Sequence, residues 1–340
     1  VKTDAISIVE AAYDCEGSER TWLRRLLEQA APKLDRGFGV NVSRYAPNMR
    51  PGGIAIDAPW TDQRILAALM ATANAYPDSF HRLFASRASH FTATQALGLN
   101  IEQAKTWPPY AEHMHRLGMR DIVGLVARDL SGHAICLAAP MPDLRRPTRR
   151  EVATWSRIAA HISAGDRLRR GLAKVPHGDL MQGADAVLSP AGSITHAEVG
   201  ARSPSARESL RLAAKAIDRA KSKARSNEDE ALDLWQGLIV GRWSLVEQFD
   251  SDGRRFMVAH RNDPQVKDPR ALDLRERQVL AYVALGHPGK LIAYSLGVSP
   301  SSVSTARRTA MRKLGLQTTA DVVRLFAEAP HGPSQEVVKA

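Results

Sequence analysis

Gly297 sits between two short apolar-periodic stretches, and that placement restricts the surrounding chain more than any other feature of the sequence. Before it, Leu291, Ile292 and Leu296 recur at helical spacing after Pro288. After it, Ser299 can cap a new helix, and Pro300 falls at the first helical position, where a missing N–H costs nothing. Glycine permits the sharp turn between them that a side chain would hinder. Ala293, Gly297 and Val303 supply a small residue where two helices touch, a glycine in the turn, and a branched residue that locks the second helix. This is a helix-turn-helix pattern. An earlier helix is predicted from Asp273, which is spaced to form a reciprocal cap with Glu276. Val279, Leu280 and Val283 form its buried stripe, and Gly286 ends it.

The helix after Ser299 has two unlike faces. With Ser304 at 0° and about 100° per residue, Ser301, Thr305, Arg308 and Arg312 fall at about 60°, 100°, 40° and 80°. Val303, Ala306, Ala310 and Leu314 fall at about 260°, 200°, 240° and 280°, on the opposite side. No acidic residue occurs from Pro300 to Leu314. A helix lying in a DNA major groove needs short residues for close approach and guanidinium forks for phosphates or guanine edges.

These residues resemble a known family. Leu272-x-x-Arg275-Glu276-x-x-Val279-Leu280, Gly286, Lys290-x-Ile292-Ala293, Leu296-Gly297-Val298-Ser299, Ser302-Val303 and Arg312-Lys313-Leu314-Gly315 are similar to the DNA-binding domain of LuxR/FixJ/NarL-type regulators. The resemblance covers residues 271–330. It implies an all-α four-helix domain whose third helix enters the major groove and whose fourth, from about Thr319 to Ala329, serves dimer contact. Family base and backbone contacts carry over to Ser304, Thr305 and Arg308, with Lys290 and Lys313 as phosphate contacts. Ser301, Ser302, Arg307 and Arg312 complete the expected DNA-binding set. Three positions depart from the family pattern: lysine is usual where Ser304 stands, histidine where Ala306 stands, and an apolar residue where Arg307 stands. Losing a groove lysine argues for an altered operator or weaker base readout. The Arg307 stem can pack while its head reaches solvent or phosphate.

Charge agrees with a polyanionic partner. The 340 residues carry 47 Lys and Arg against 36 Asp and Glu, a formal net charge of +11. Two cysteines, Cys15 and Cys136, are too few for a disulfide framework or a cysteine-rich zinc site. No apolar run approaches the ~20 residues of a membrane helix, and no signal peptide is visible, so a cytoplasmic protein that meets the nucleoid when bound to DNA is expected. No nucleophile elbow, phosphate loop or HExxH motif is present, so no catalytic residue, metal or cofactor is assigned. His113 and His115, two apart on a predicted helix, do not share a face.

Upstream, residues 1–175 read as helices over 4–34, strands over 37–45 and 53–58, and a helical block from Thr61, its expected N-cap, to about Ser86. A hairpin over 121–138 and a basic helix from about Thr148 to Lys174 follow. Residues 183–262 read as a hairpin around 189–193, a helix from about Pro204 to Arg225, and strands over 243–249 and 254–260. Both modules are predicted to be α+β, an antiparallel sheet with helices, and resemble GAF/PAS sensor folds by element order. Residues 263–270, with two prolines and no periodicity, read as a linker. The basic helix, with Arg149, Arg150, Arg157, Arg167, Arg169 and Arg170, could contact DNA. The preferred reading is a solvated helix whose Val152, Trp155, Ile158 and Ile162 face a dimer partner. Five of the six tryptophans, Trp22, Trp107, Trp155, Trp235 and Trp243, are expected in cores.

Together these features predict a sequence-specific transcriptional regulator and not an enzyme. Its expected partners are double-stranded DNA, a second copy of itself, a small-molecule effector or partner protein, and RNA polymerase, with no membrane. A sigma-factor-like subunit is the nearest rival, but it needs promoter-melting aromatics, and aromatic content is only 6%. An enzyme with an accessory DNA-binding tail is the third reading.

Overall fold

The computed structural model describes residues 4–46, 56–60, 62–76, 83, 88–174, 180–181, 183–264 and 272–328; for 56–60 it describes the backbone alone. Two helices open the chain, α1 (Ala5–Ala12) and α2 (Glu19–Leu34), each started by an N-cap side chain, Asp4 and Ser18. The Trp22 indole donates to the Ala11 carbonyl (3.0 Å) and so ties α2 to the end of α1. Five strands follow: β1 (Val40–Tyr45), β2 (Ile56–Trp60), β3 (His90–Thr92), β4 (Asp121–Arg128) and β5 (Ala134–Met141). They form one antiparallel sheet in the order β2-β1-β5-β4-β3.

Period-two alternation gives this sheet two apolar faces. Val40, Val42, Val123, Leu125, Ala127, Ile135 and Leu137 join the core built with α1 and α2. Phe91, Val126, Ala134 and Cys136 lie in a second cluster on the other face. The helices described between β2 and β4 include α3 (Gln63–Ala75), α4 (Ala93–Ala96), α5 (Ile101–Thr106) and α6 (Pro108–His113). Asp62 caps α3, one position after the expected Thr61, which lies outside the described residues. Of the three short helices only the last, which ends at His113, falls where the sequence suggested a helix; Thr92 and Asn100 start the other two through capping boxes with Gln95 and Gln103.

The basic helix is α7 (Arg149–Leu172), begun by a capping box between Thr148 and Glu151. Its packing overturns the reading of it as a solvated helix facing a dimer partner, while Arg149 and Arg150 at its start stay exposed. Trp155, Ile158 and Ile162 are buried in the main core, so the partner for its apolar face is the rest of the chain. Several of its arginines are held within the chain. Arg157 pairs with Asp229 (2.5 Å) and Asp233 (2.7 Å), and Arg167 and Arg170 grip buried Asp129 at 2.5 and 3.0 Å. Burial alone would raise the Asp129 carboxyl, but the two guanidinium groups and Ser131 bring it below the usual carboxylate range. Arg169 lies over the Trp22 ring. Where α7 crosses α1, Gly165 meets the Ala12 carbonyl so closely that a Cβ would overlap it.

A second antiparallel sheet, in the order β7-β6-β9-β8, contains β6 (Ala186–Leu188), β7 (Ile194–Ala197), β8 (Trp243–Phe249) and β9 (Arg255–Arg261). The amphipathic α8 (Pro204–Lys221) buries Leu210, Ala214 and Ile217. It ends four residues before the expected Arg225, which instead reaches Asp4 and Glu10. The short α9 (Glu228–Leu234), absent from the sequence reading, packs on α1 and α7. One apolar cluster therefore runs from Ala5 to Ala259 through both sheets, where the sequence suggested two separate modules. Trp22, Trp155, Trp235 and Trp243 are buried in it; Trp107 is only half-buried, under the first sheet.

The C-terminal helices α10 (Leu274–Ala284), α11 (Gly289–Leu296), α12 (Pro300–Lys313) and α13 (Thr319–Glu328) enclose a separate core. Most of the predicted linker, 265–270, lies outside the described residues. The bundle rests on the body of the chain. The Tyr294 hydroxyl lies 2.6 Å from the Leu232 carbonyl, 2.9 Å from that of Trp235 and 2.8 Å from His161 Nε2. On the other side of that ring, Tyr13 Oη lies 3.2 Å from Nδ1 and donates to the Gly237 carbonyl (2.9 Å). A neutral imidazole carries one N–H. That single N–H serves one of the two tyrosine oxygens, Tyr13 Oη beside Nδ1 or Tyr294 Oη beside Nε2.

Two measurements test this packing. Gly165→Ala is expected to lower stability to urea by about 1–3 kcal/mol because α1 must shift. Gly171→Ala, on the same helix with open space around it, is expected to raise it by up to about 1 kcal/mol. Burial also pushes His161 down to about 3 and His287 down to about 4. Between those values and the ordinary ~6.5, the unfolded chain binds protons that the folded chain does not. The stabilising contribution is therefore present above about pH 6.5 and falls as pH drops through that window, by up to about 1.4 kcal/mol per pH unit for each group. His161→Gln is expected to give a shallower slope of unfolding free energy between pH 6.5 and 4.5; an unchanged slope would show that His161 is not buried neutral.

Candidate nucleic-acid interface

Reciprocal caps and left-handed glycines, Gly297 above all, build the local geometry of the C-terminal bundle. Asp273 Oδ1 accepts from the Glu276 backbone N–H (2.7 Å), and Glu276 Oε2 accepts from the Asp273 N–H (2.9 Å), as the spacing predicted. The same buried carboxylate receives Lys313 Nζ at 2.8 Å, which fastens the end of α12 to the start of α10. Gly297 ends α11 at φ +62°, in the left-handed region. The Val298 N–H then returns to the Ala293 carbonyl (3.0 Å). Ser299 accepts from the Ser302 N–H (3.1 Å) and starts α12 with Pro300 at its first turn. Ala293 and Val303, the predicted contact pair, are both buried in the shared core.

This geometry separates the faces of α12. Val303 and Ala310 are buried, and Ala306, Met311 and Leu314 pack partly against the core. Ser301, Ser302, Ser304, Thr305, Arg308 and Arg312 are exposed. They form a continuous surface of short hydroxyls followed by guanidinium groups. Lys290 is also exposed, in the first turn of α11. Two members of the expected set are engaged inside the bundle. Arg307 donates to Thr319 Oγ1 (2.7 Å), bridging α12 to α13, and Lys313 is the partner of Glu276. Eight of the nine expected positions are thus exposed, with Arg307 half-buried, and Arg307 and Lys313 have partners between helices.

The surface beside this face was not legible in the sequence. The segment 235–241 lies against the turn of the bundle. A Cβ on Gly297 would overlap the Leu238 carbonyl, and one on Gly237 would lie 3.2 Å from the Ser295 carbonyl. Arg275 donates to the Val240 carbonyl (2.8 Å), and Gln278 donates to that of Pro264 (3.2 Å). Val240 itself takes φ +49°, a strained setting for a β-branched residue. The one hint in the sequence was Tyr294, an aromatic residue on the outer side of a short helix. Nothing local told its partner.

Comparison with known proteins agrees with this geometry. Residues 271–326 match the family described as bacterial regulatory proteins, luxR family. The transcriptional regulatory protein FixJ of Rhizobium meliloti (strain 1021) is 33% identical over 94 residues, which is 26% of this chain and 46% of FixJ. The chain thus spans about half the length of that curated relative. A crystal structure of SdiA from Escherichia coli covers 92% of this chain and 91% of its own, at 12% identity and a TM-score of 0.26, too loose a likeness to bear on the arrangement described above. The C-terminal domain of this chain is a helix-turn-helix domain of the luxR family of bacterial regulatory proteins.

Proposed function

We propose that the protein is a sequence-specific, DNA-binding transcriptional regulator that works in the cytoplasm as a dimer. The observation that carries this reading is the open, acid-free face of α12 opposite the buried Val303 and Ala310. Ser304, Thr305 and Arg308 are assigned to base edges in the major groove, and Ser301, Ser302, Arg312 and Lys290 to its rim and the phosphates. Arg307 and Lys313 already have partners in the bundle, so their first role is to hold α12 in place. A dimer formed through α13 would put two copies of α12 in successive major grooves, with half-sites about one helical turn apart. Residues 1–175 and 183–262 are read as GAF/PAS-like sensor modules joined through a common core, and 263–270 as the linker to the DNA-binding domain. Their effector is a small molecule or a partner protein.

Selection from a random duplex pool with the full chain is expected to return a defined site. Affinity for it should fall steeply with salt, because each neutralised phosphate releases counterions. Failure to bind any duplex at low salt would overturn the proposal. On the selected site, Arg308→Ala is expected to cost about 1–3 kcal/mol, with little change on a scrambled duplex. An equal loss on both would reduce Arg308 to a phosphate contact.

A further inference from the structure

A cleft of about 380 Å³ opens between the end of α1, the helix α8 and the strands β8 and β9. That is the size class of small-ligand sites. One wall is aromatic: Tyr13 and Trp235 stack with centroids 5.7 Å apart and planes 12° apart. The polar lining is acidic, with Glu10, Asp14, Glu16 and Glu247 contributing carboxylates. In a chain with a net charge of +11, this is a local reversal of sign. Lys221 is the one cation among the described lining residues. Its ammonium lies 3.3 Å from Glu10, bonds Glu247, and sits 5.9 Å from the Trp235 ring centroid. The arginines that pair with Asp14, Glu10 and Glu247 from other directions, Arg25, Arg225 and Arg255, are not part of the lining.

We infer that this cleft binds a small organic ammonium ion with an apolar body. Lys221 shows the chemistry: the chain already sets a primary ammonium between two carboxylates and over an indole face, the combination that recognises alkylammonium ligands. A ligand would seat its charged end among Glu10, Glu16 and Glu247 and its body against Tyr13 and Trp235. Both aromatic residues also reach the seat of the DNA-binding domain. The Tyr13 hydroxyl bonds Gly237, and the Trp235 carbonyl faces the Tyr294 hydroxyl of α11. Occupancy therefore bears on the 235–241 segment that abuts Gly297. This coupling rests on the regulator reading; the binding itself does not.

Calorimetry on the 340-residue chain without DNA separates the two. 2-Phenylethylammonium is expected to bind about tenfold more tightly than its neutral counterpart 2-phenylethanol, a ratio that one charge-dependent contact supplies. Glu16→Gln, at an exposed position, should weaken the ammonium severalfold and leave the alcohol unchanged. Lys221→Met removes the internal ammonium and should tighten binding of the added one, with far-UV circular dichroism confirming the fold. Equal affinity for amine and alcohol, no binding at millimolar concentrations, or weaker ammonium binding by Lys221→Met would overturn the assignment. A saturating ammonium that leaves duplex affinity unchanged would overturn the coupling and leave the site standing.

Discussion

The close backbone approach of Gly297 to Leu238 constrains both halves of the molecule. Gly297 must take a left-handed conformation to turn α11 into α12, and it must also lack a Cβ for the 235–241 segment to lie against it. One residue thus serves the local geometry of the DNA-binding motif and its seat on the body of the chain. Around it, the Tyr294 hydroxyl is surrounded by two carbonyls and an imidazole, and Arg275 holds the carbonyl of strained Val240. Polar contacts of this kind are directional, so they select one docked orientation where apolar contact alone would tolerate several.

The basic character of the chain divides into two populations with different fates. On α7, arginines are drawn into pairs with Asp129, Asp229 and Asp233 and into contact with Trp22. Their charge is used to knit the two sheets and the helices between them into one body. On α12 no acid is available in the helix itself, and Arg308 and Arg312 remain exposed. Net charge could not distinguish these populations, because opposite charges far apart in sequence neutralise one and leave the other facing solvent.

Local patterns were legible wherever the information needed lay within a few residues. The capping box at Asp273, the cap at Ser299 and the hairpin over 121–138 form as their spacing predicts. The faces of α12 were also readable, since helical periodicity places Val303 and Ala310 opposite Arg308. The short helices over 93–106 were not, because four to six residues carry too little periodicity to register. Nor was α9, whose acidic Glu228–Asp229–Glu230 opening resembles a solvated loop until Arg157 and Lys33 are placed beside it.

Sequence alone determined the helix-turn-helix: its caps, its turn glycine and its acid-free face depend on contacts within some fifty residues and on the fixed period of a helix. Tertiary structure decided what the rest of the chain does with that domain. It merged two expected modules around one core, turned a basic helix into a central strut, and brought Tyr13, His161 and Tyr294 into a single polar cluster. Those outcomes join residues up to 133 and 148 positions apart, and no periodicity or spacing rule carries information over that distance.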